Sequence, residues 1–284
     1  MKNVIRLLTL TAIVATVALP ILAQDTQQPA AAAAGAQVDE KAKAALYEKF
    51  LAERKGDPAA QKRAFELGKE YLQKYGTPED EIVAFVKKWV GSYELATRDF
   101  QYTTSLKEKK YADAFRLGKD ILAARPERTA VMVELGWTGY VATTEKNNAH
   151  NAEAANLARQ AVQLIESGKQ PMGLDAQGKA LAPSWAPFNT REDALGGLYF
   201  ALGSFALTEK KAEEAADYFY KAAQQNGFTK KEPSTYANLA SAIAASADYK
   251  NGIQNYQTEA TKDAGSPAAK ALLEKLDPMT DRII

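Results

Sequence analysis

The chain has 284 residues, of which 46% are hydrophobic and 25% charged, a composition typical of a globular protein with enough apolar side chains for a core. Its 36 basic and 35 acidic residues nearly cancel, so no charge excess favours nucleic acid or an anionic membrane as a partner. Cysteine is absent and His150 is the single histidine, which excludes disulfides, cysteine nucleophiles and zinc sites built from several imidazoles. We therefore expect no nucleic-acid partner, no metal and no cofactor. His150 lies at the turn into a helix, and we expect it to be an exposed residue of the first turn rather than a ligand or a base.

The first 23 residues have the pattern of a signal peptide. Lys2 and Arg6 precede an uncharged apolar stretch at 7–19, and Ala23 is a small residue at the expected cleavage point. The alternative is an uncleaved N-terminal anchor, because residues 7–23 are just long enough to span a bilayer. With cleavage after Ala23, the mature protein is periplasmic or secreted, and we expect no stable membrane insertion of it.

Residues 24–37 form a leader of Gln, Pro, Ala and Gly that contains no large apolar side chain. Such a segment cannot bury enough surface to offset the entropy lost on ordering. We therefore predict a flexible leader, followed by a folded domain over residues 38–284.

One segment of the chain occurs twice. AFELGKEYLQKY at 64–75 returns as AFRLGKDILAAR at 114–125. In both copies, small and apolar residues recur at i, i+3, i+4 and i+7, which predicts an amphipathic helix. No convincing run alternates apolar and polar residues, so we predict an all-α chain. The small residues that lie one turn apart, where a neighbouring helix can approach closely, are Ala64 and Gly68 in the first copy and Ala114 and Gly118 in the second.

Three helix starts are indicated by a capping residue followed by proline at the first helical position. These pairs are Asp57–Pro58, Thr77–Pro78 and Ser266–Pro267.

Self-similarity at a period of tens of residues indicates a repeat protein. The stretch 196–229 fits two consecutive helices with an aromatic and Leu-Gly on the first, then Ala and an aromatic on the second. A further unit starts near Pro233, and an earlier one runs from Met132 to Ala161. The matching residues of the clearest unit are Tyr199, Leu202, Gly203, Ala215, Phe219 and Ala222.

These residues resemble the tetratricopeptide repeat family, over roughly residues 40–276 and most clearly at 196–262. The resemblance implies a right-handed α-solenoid of about five antiparallel helix hairpins, closed by a capping helix at 267–276. It also implies a concave groove, lined by the first helix of each hairpin, that binds a protein or peptide partner. The Lys and Asn set with which some family members hold a C-terminal carboxylate has no recognisable counterpart.

Aromatic residues are the candidate binding residues. When Pro78 is aligned with Pro126, two groups of aromatics fall at similar helical positions, and Trp and Tyr offer large faces with a polar edge to a partner. The alternative is that they fill the space between helices. The members are Phe85, Trp89, Tyr93, Trp137 and Tyr140.

Residues 167–192 interrupt the helical pattern between two repeats, and a loop of this length is usually functional or disordered. Trp185 and Phe188 lie among prolines in this insertion, which favours an ordered segment. It either holds a partner or packs back over the helices as a plug, and we favour the plug because an isolated Trp is costly to leave in water.

The sequence contains no serine-hydrolase, phosphate-loop, zinc-protease or dinucleotide-binding motif. Acidic residues at 78–81 and 210–217 are most simply helix starts, although carboxylate chemistry stays open. We therefore predict an exported, non-catalytic adaptor or scaffold. The alternatives are an enzyme or carbohydrate-handling protein that uses Asp and Glu, and a structural component of an envelope assembly.

Overall fold

The computed structural model describes residues 30–175, 178 and 180–282, with side chains described from Glu40 onward. The predicted signal peptide and the start of the predicted leader lie outside these residues. Over the described residues the chain is helical apart from one two-stranded hairpin, which confirms the all-α prediction. The helices are α1 (Ala30–Glu53), α2 (Pro58–Tyr75), α3 (Glu81–Lys107), α4 (Tyr111–Ala124), α5 (Ala130–Thr144), α6 (Asn151–Glu166), α7 (Arg191–Thr208), α8 (Ala212–Gln224), α9 (Pro233–Ala245), α10 (Ala247–Asp263) and α11 (Pro267–Thr280).

The contacts divide the chain after Thr97 into two compact units. In the first unit, α1, α2 and the first part of α3 enclose a small core around Phe50, Tyr71 and Val86. In the second unit, the rest of α3 and the following helices share a larger apolar core.

The recurring segment forms α2 and α4, and its glycine has the same role in both. A Cβ at Gly68 would lie 2.6 Å from Val90 of α3 and 3.3 Å from Phe50 of α1. A Cβ at Gly118 would lie 2.6 Å from Leu135 of α5 and 3.2 Å from Tyr102 of α3. Each glycine thus lets one helix fit between the helix before it and the helix after it.

Small residues also bring helices together within the predicted repeats. A Cβ at Gly139 of α5 would lie 2.1 Å from the Cβ of Ala154 on α6. A Cβ at Gly203 of α7 would lie 2.9 Å from the Phe219 ring on α8, so this predicted pair is in direct contact. Ala215 is fully buried.

Two of the three predicted helix starts are correct. The Asp57 carboxylate accepts from the N–H of Ala60, and the Ser266 hydroxyl accepts from the N–H of Ala269. The start predicted at Thr77–Pro78 is wrong, because α3 begins at Glu81. There the Asp80 carboxylate accepts from the N–H of Val83 at 2.7 Å, and aspartate is at least as good a cap as threonine.

The insertion contains an antiparallel hairpin that its sequence pattern does not predict. Strand β1 (Met172–Leu174) pairs with β2 (Leu181–Pro183), with Gly173 opposite Ala182. Thr129 Oγ1, at the start of α5, accepts from the N–H of Met172 at 2.8 Å and so anchors the hairpin to the second unit. Each strand has three residues, which is too short for an alternating pattern to be recognised.

Ion pairs connect alternate helices of the second unit. Lys119 of α4 contacts Glu153 of α6 at 3.1 Å, and Arg159 of α6 contacts Glu214 of α8 at 3.6 Å. The Glu213 carboxylate of α8 accepts from the N–H of Ala247, at the start of α10, at 2.7 Å. We call these three contacts the outer ladder.

Three helix-to-helix turns of the second unit have one backbone geometry. Lys109, Lys146 and Lys210 have φ values of 57°, 65° and 61°, in the left-handed region that favours glycine. In each turn, the backbone N–H of the residue that follows the lysine donates to the carbonyl oxygen of the residue five positions before the donor. In the third turn, for example, the N–H of Lys211 donates to the carbonyl of Ala206 at 2.8 Å. This is the bond pattern of a helix end that normally carries glycine.

Replacing Lys210 by glycine is therefore expected to raise the free energy of unfolding by about 0.5–1 kcal/mol, because the strain of a side chain in this conformation is removed. Chemical denaturation measures the change. The matched control is Lys211→Gly, since Lys211 has an ordinary φ of −94° and offers no strain to relieve. A stability of Lys210→Gly equal to or below that of the control would contradict the prediction.

Candidate functional site

Four aromatic rings of the second unit, which we call the aromatic cluster, come from three separate parts of the chain. Trp137 lies 4.7 Å from Tyr140 on α5 and 5.2 Å from Phe188 of the insertion, measured between ring centroids. Phe188 stacks on Phe228, which belongs to a short 3-10 helix at Phe228–Lys230, at 6.1 Å. Phe228 is 36% exposed and the other three rings are partly buried, so the cluster reaches the surface.

The backbone of α7 fixes two members of the aromatic cluster. Phe188 lies directly on Gly197, where a Cβ would come within 2.3 Å of its ring. The Asp193 carboxylate accepts from the N–H of Phe228 at 2.8 Å, while the N–H of Asp193 donates to Thr190 Oγ1 at the helix start. The rings are thus positioned by helix α7 rather than by a loop alone.

Trp185 is the other predicted aromatic of the insertion. It is partly buried and packs against the core of the second unit, as Phe188 does. This is the geometry expected for a segment that packs back over the helices. Trp185 makes no ring contact with the aromatic cluster among the described residues.

Phe85, Trp89 and Tyr93 follow one another at single-turn spacing on α3, in the first unit, and we call them the aromatic strip. Trp89 stacks on Tyr93 at 5.3 Å with the ring planes 14° apart. Phe85 is 36% exposed, and Trp89 and Tyr93 are partly buried. Buried Phe50 supports the strip from beneath, with its ring 5.1 Å from that of Trp89.

Cations lie over two rings at this surface. The Arg54 guanidinium lies 5.1 Å from the centre of the Phe85 ring, and Lys69 Nζ lies 5.3 Å from that of Phe65. The Phe65 ring itself is 5.1 Å from Tyr93. The strip is therefore a partly open aromatic surface with positive charge at its sides.

The structure thus groups six of the seven predicted site residues in two sets, and Trp185 belongs to neither. Trp137, Tyr140 and Phe188 meet in the aromatic cluster, and the three residues of the aromatic strip lie together in the first unit. Phe228 was missed, because it follows Gly227 in a turn and belongs to no helical pattern.

A polar cluster in the second unit was also missed. The Asp99 carboxylate of α3 pairs with the guanidinium groups of both Arg125 and Arg128, and Arg128 is only 5% exposed. Tyr102, one turn after Asp99, donates to Glu134 of α5 at 2.8 Å. Burial raises the pKa of Glu134 to about 7.

His150 was predicted as an exposed residue at a helix start, and the exposure is wrong. Its ring stacks on Phe115 with centroids 4.5 Å apart and planes 7° apart, leaving the side chain 22% exposed. It precedes α6, as expected, without a side-chain cap.

The acidic segments that could support carboxylate chemistry have structural partners. Asp80 caps α3 and contacts Lys43 at 3.1 Å, and these hydrogen bonds, the one from Val83 first, lower its pKa. Backbone N–H groups, including that of Ala247, lower the pKa of Glu213. Within the described residues, no group of three His, Cys, Asp or Glu side chains is placed to hold a metal ion.

Two surface depressions of about 470 Å³ each are lined by none of the predicted site residues. One is lined by α9 and α10 residues such as Tyr249 and Ile253, and the other by residues such as Glu53 and Leu67. Across the described part of the chain, every helix is too short or too polar to cross a membrane. Comparisons with protein-family models, with curated proteins and with solved structures give no match.

Proposed function

We propose that this protein is an exported, non-catalytic adaptor or scaffold that binds a protein or peptide partner. In this proposal the helices form a right-handed solenoid of tetratricopeptide type, and the partner lies in its concave groove. The observation that carries the proposal is the aromatic cluster. Rings from three chain segments are held at one partly open surface, and large aromatics of this kind are the commonest anchors of protein interfaces.

The packing of small residues supports the repeat architecture within this proposal. Gly68 and Gly118 each fit between a preceding and a following helix. The outer ladder joins every second helix from α4 to α10, through two ion pairs and one backbone N–H to carboxylate hydrogen bond. Stacked helix hairpins need contacts of this kind, because a single hairpin cannot bury its apolar face alone.

The alternatives make different demands on the surface. An enzyme that uses Asp and Glu needs a pair of carboxylates facing a cleft, and the acidic segments at 78–81 and 210–217 are instead held by helix starts and ion pairs. A structural component of an envelope assembly needs a docking face outside the groove. The cluster of partly open aromatics favours the adaptor over both.

The test begins with capture of partners from envelope extracts by the mature protein, identified by mass spectrometry. For a captured partner, Trp137→Ala and Phe228→Ala are each expected to weaken binding by about 2–4 kcal/mol, as truncation of aromatic anchors does. The matched control is Phe100→Ala, since Phe100 is 67% exposed and stands outside both aromatic groups. Titration calorimetry measures the affinity and thermal denaturation the stability.

Two results would contradict the proposal. If both cluster variants lose thermal stability while their affinity matches that of Phe100→Ala, the rings serve as core between helices. The second result is that no captured protein is displaced from the immobilised mature protein by an excess of the same protein in solution. An adaptor role would then be unsupported.

A further inference from the structure

The side-chain hydrogen bond between Tyr102 and Glu134 joins two helices of the second unit. Tyr102 is 2% exposed, on the second half of α3, and its hydroxyl donates to the carboxylate of partly buried Glu134 on α5. The bond is 2.8 Å long and spans residues 32 apart in the chain. It therefore depends on α3 and α5 staying packed together.

The charges around this bond are unevenly distributed. Asp99, one turn before Tyr102, pairs with both Arg125 and Arg128 from the turn between α4 and α5. Because both arginines are held by Asp99, the ionised Glu134 carboxylate has no ion pair of its own among the described residues. Within the described part of the chain, the phenol of Tyr102 is the side-chain group that donates a hydrogen bond to Glu134.

Three described groups act electrostatically on Glu134 at this place. Tyr102 and Arg128 favour its ionised form, and Asp99 opposes it. Burial outweighs the favourable groups, so the pKa of Glu134 lies at about 7 rather than near 4.5. A neutral carboxyl can accept from Tyr102 without placing a second negative charge beside Asp99.

We propose that the Tyr102–Glu134 pair is an acid-strengthened latch that fastens the second half of α3 to α5. In acid the carboxyl is neutral and the two helices pack without a buried charge. As the solution becomes neutral and then alkaline, the ionised carboxylate is better accommodated in water than between the helices. Opening of this contact is therefore easier at higher pH.

The direction follows from proton linkage. Glu134 binds its proton more tightly when the helices are packed than when it is solvated. The packed state therefore holds more protons than the open state between about pH 4.5 and pH 7, and its advantage falls as pH rises through this window. Acidification into the window strengthens the latch.

Hydrogen exchange with mass spectrometry on the whole mature chain tests the proposal. After correction for the intrinsic pH dependence of exchange, the opening equilibrium of the α3 amides at 102–107 is expected to rise roughly 25-fold between about pH 5.5 and about pH 8. Glu134→Gln should remove most of this rise. The matched control is Glu127→Gln, since Glu127 is exposed in the turn before α5 and should leave the rise unchanged.

Tyr102→Phe provides a second test that does not depend on the Gln variant folding. Loss of the hydroxyl removes a donor to the ionised carboxylate, so the midpoint of the opening profile should move to higher pH. Equal opening at both pH values in the unaltered protein would overturn the latch. A rise that persists in Glu134→Gln, or a midpoint that Tyr102→Phe leaves in place, would overturn it as well.

Discussion

Replacing Asp99 by alanine is expected to lower the free energy of unfolding of the second unit by about 3–5 kcal/mol, the usual cost of removing one partner from a buried ion pair. Arg128 is 5% exposed, so its guanidinium would remain buried without its ion-pair partner. Arg125, which is partly buried, would lose the same partner. Urea denaturation followed by circular dichroism measures the loss.

The matched control for this change is Asp217→Ala. Asp217 also pairs with an arginine, Arg282, at 3.0 Å, but its side chain is 65% exposed. An exposed pair contributes about 0–1 kcal/mol, so the control should lose little. Similar losses in the two variants would mean that water reaches the Asp99 cluster and replaces the missing carboxylate.

Replacing Phe50 by alanine is expected to lower the stability of the first unit by about 3–5 kcal/mol, the range for truncation of a buried aromatic. Phe50 is fully buried, and its ring contacts those of Tyr47, Phe85 and Trp89. The cavity would open beneath the aromatic strip and beside Gly68. Residues near Gly68 cannot fill it without moving α2.

Tryptophan fluorescence can measure this loss in the first unit alone. The chain has three tryptophans, and Trp89 is the one before residue 98, so Trp137→Phe and Trp185→Phe make Trp89 the only reporter. Phe100→Ala, at a ring that is 67% exposed, is the control and should change stability by less than about 0.5 kcal/mol. A denaturation midpoint for Phe50→Ala that equals the control would contradict the assignment of Phe50 to the core.

The sequence predicts those parts of the fold that depend on neighbouring residues. A cap at Asp57 or Ser266 acts within a single helical turn, and glycine at 68 and 118 marks a close approach whatever helix makes it. The start at Thr77 was wrong because two capping residues compete within four positions, and the local pattern does not rank them.

The features that the sequence could not predict depend on residues far apart in the chain. Asp99 meets arginines 26 and 29 residues later, and nothing in the pattern around Asp99 marks it as buried. Phe228 joins the aromatic cluster because Asp193 on another element holds its backbone. Such contacts are fixed by tertiary packing, whereas caps and helix faces are fixed by local spacing.

The two ion pairs of the outer ladder have the same orientation along the chain. In each pair the cation belongs to the earlier helix and the anion to the later one, from Lys119 to Glu153 and from Arg159 to Glu214. Exposed pairs of this kind add little stability. Helix α6 carries the anion of one pair and the cation of the other, so it meets α4 through Glu153 and α8 through Arg159. The contact between alternate helices is therefore directional along α4, α6 and α8, with a cation on the earlier helix facing an anion on the later one each time.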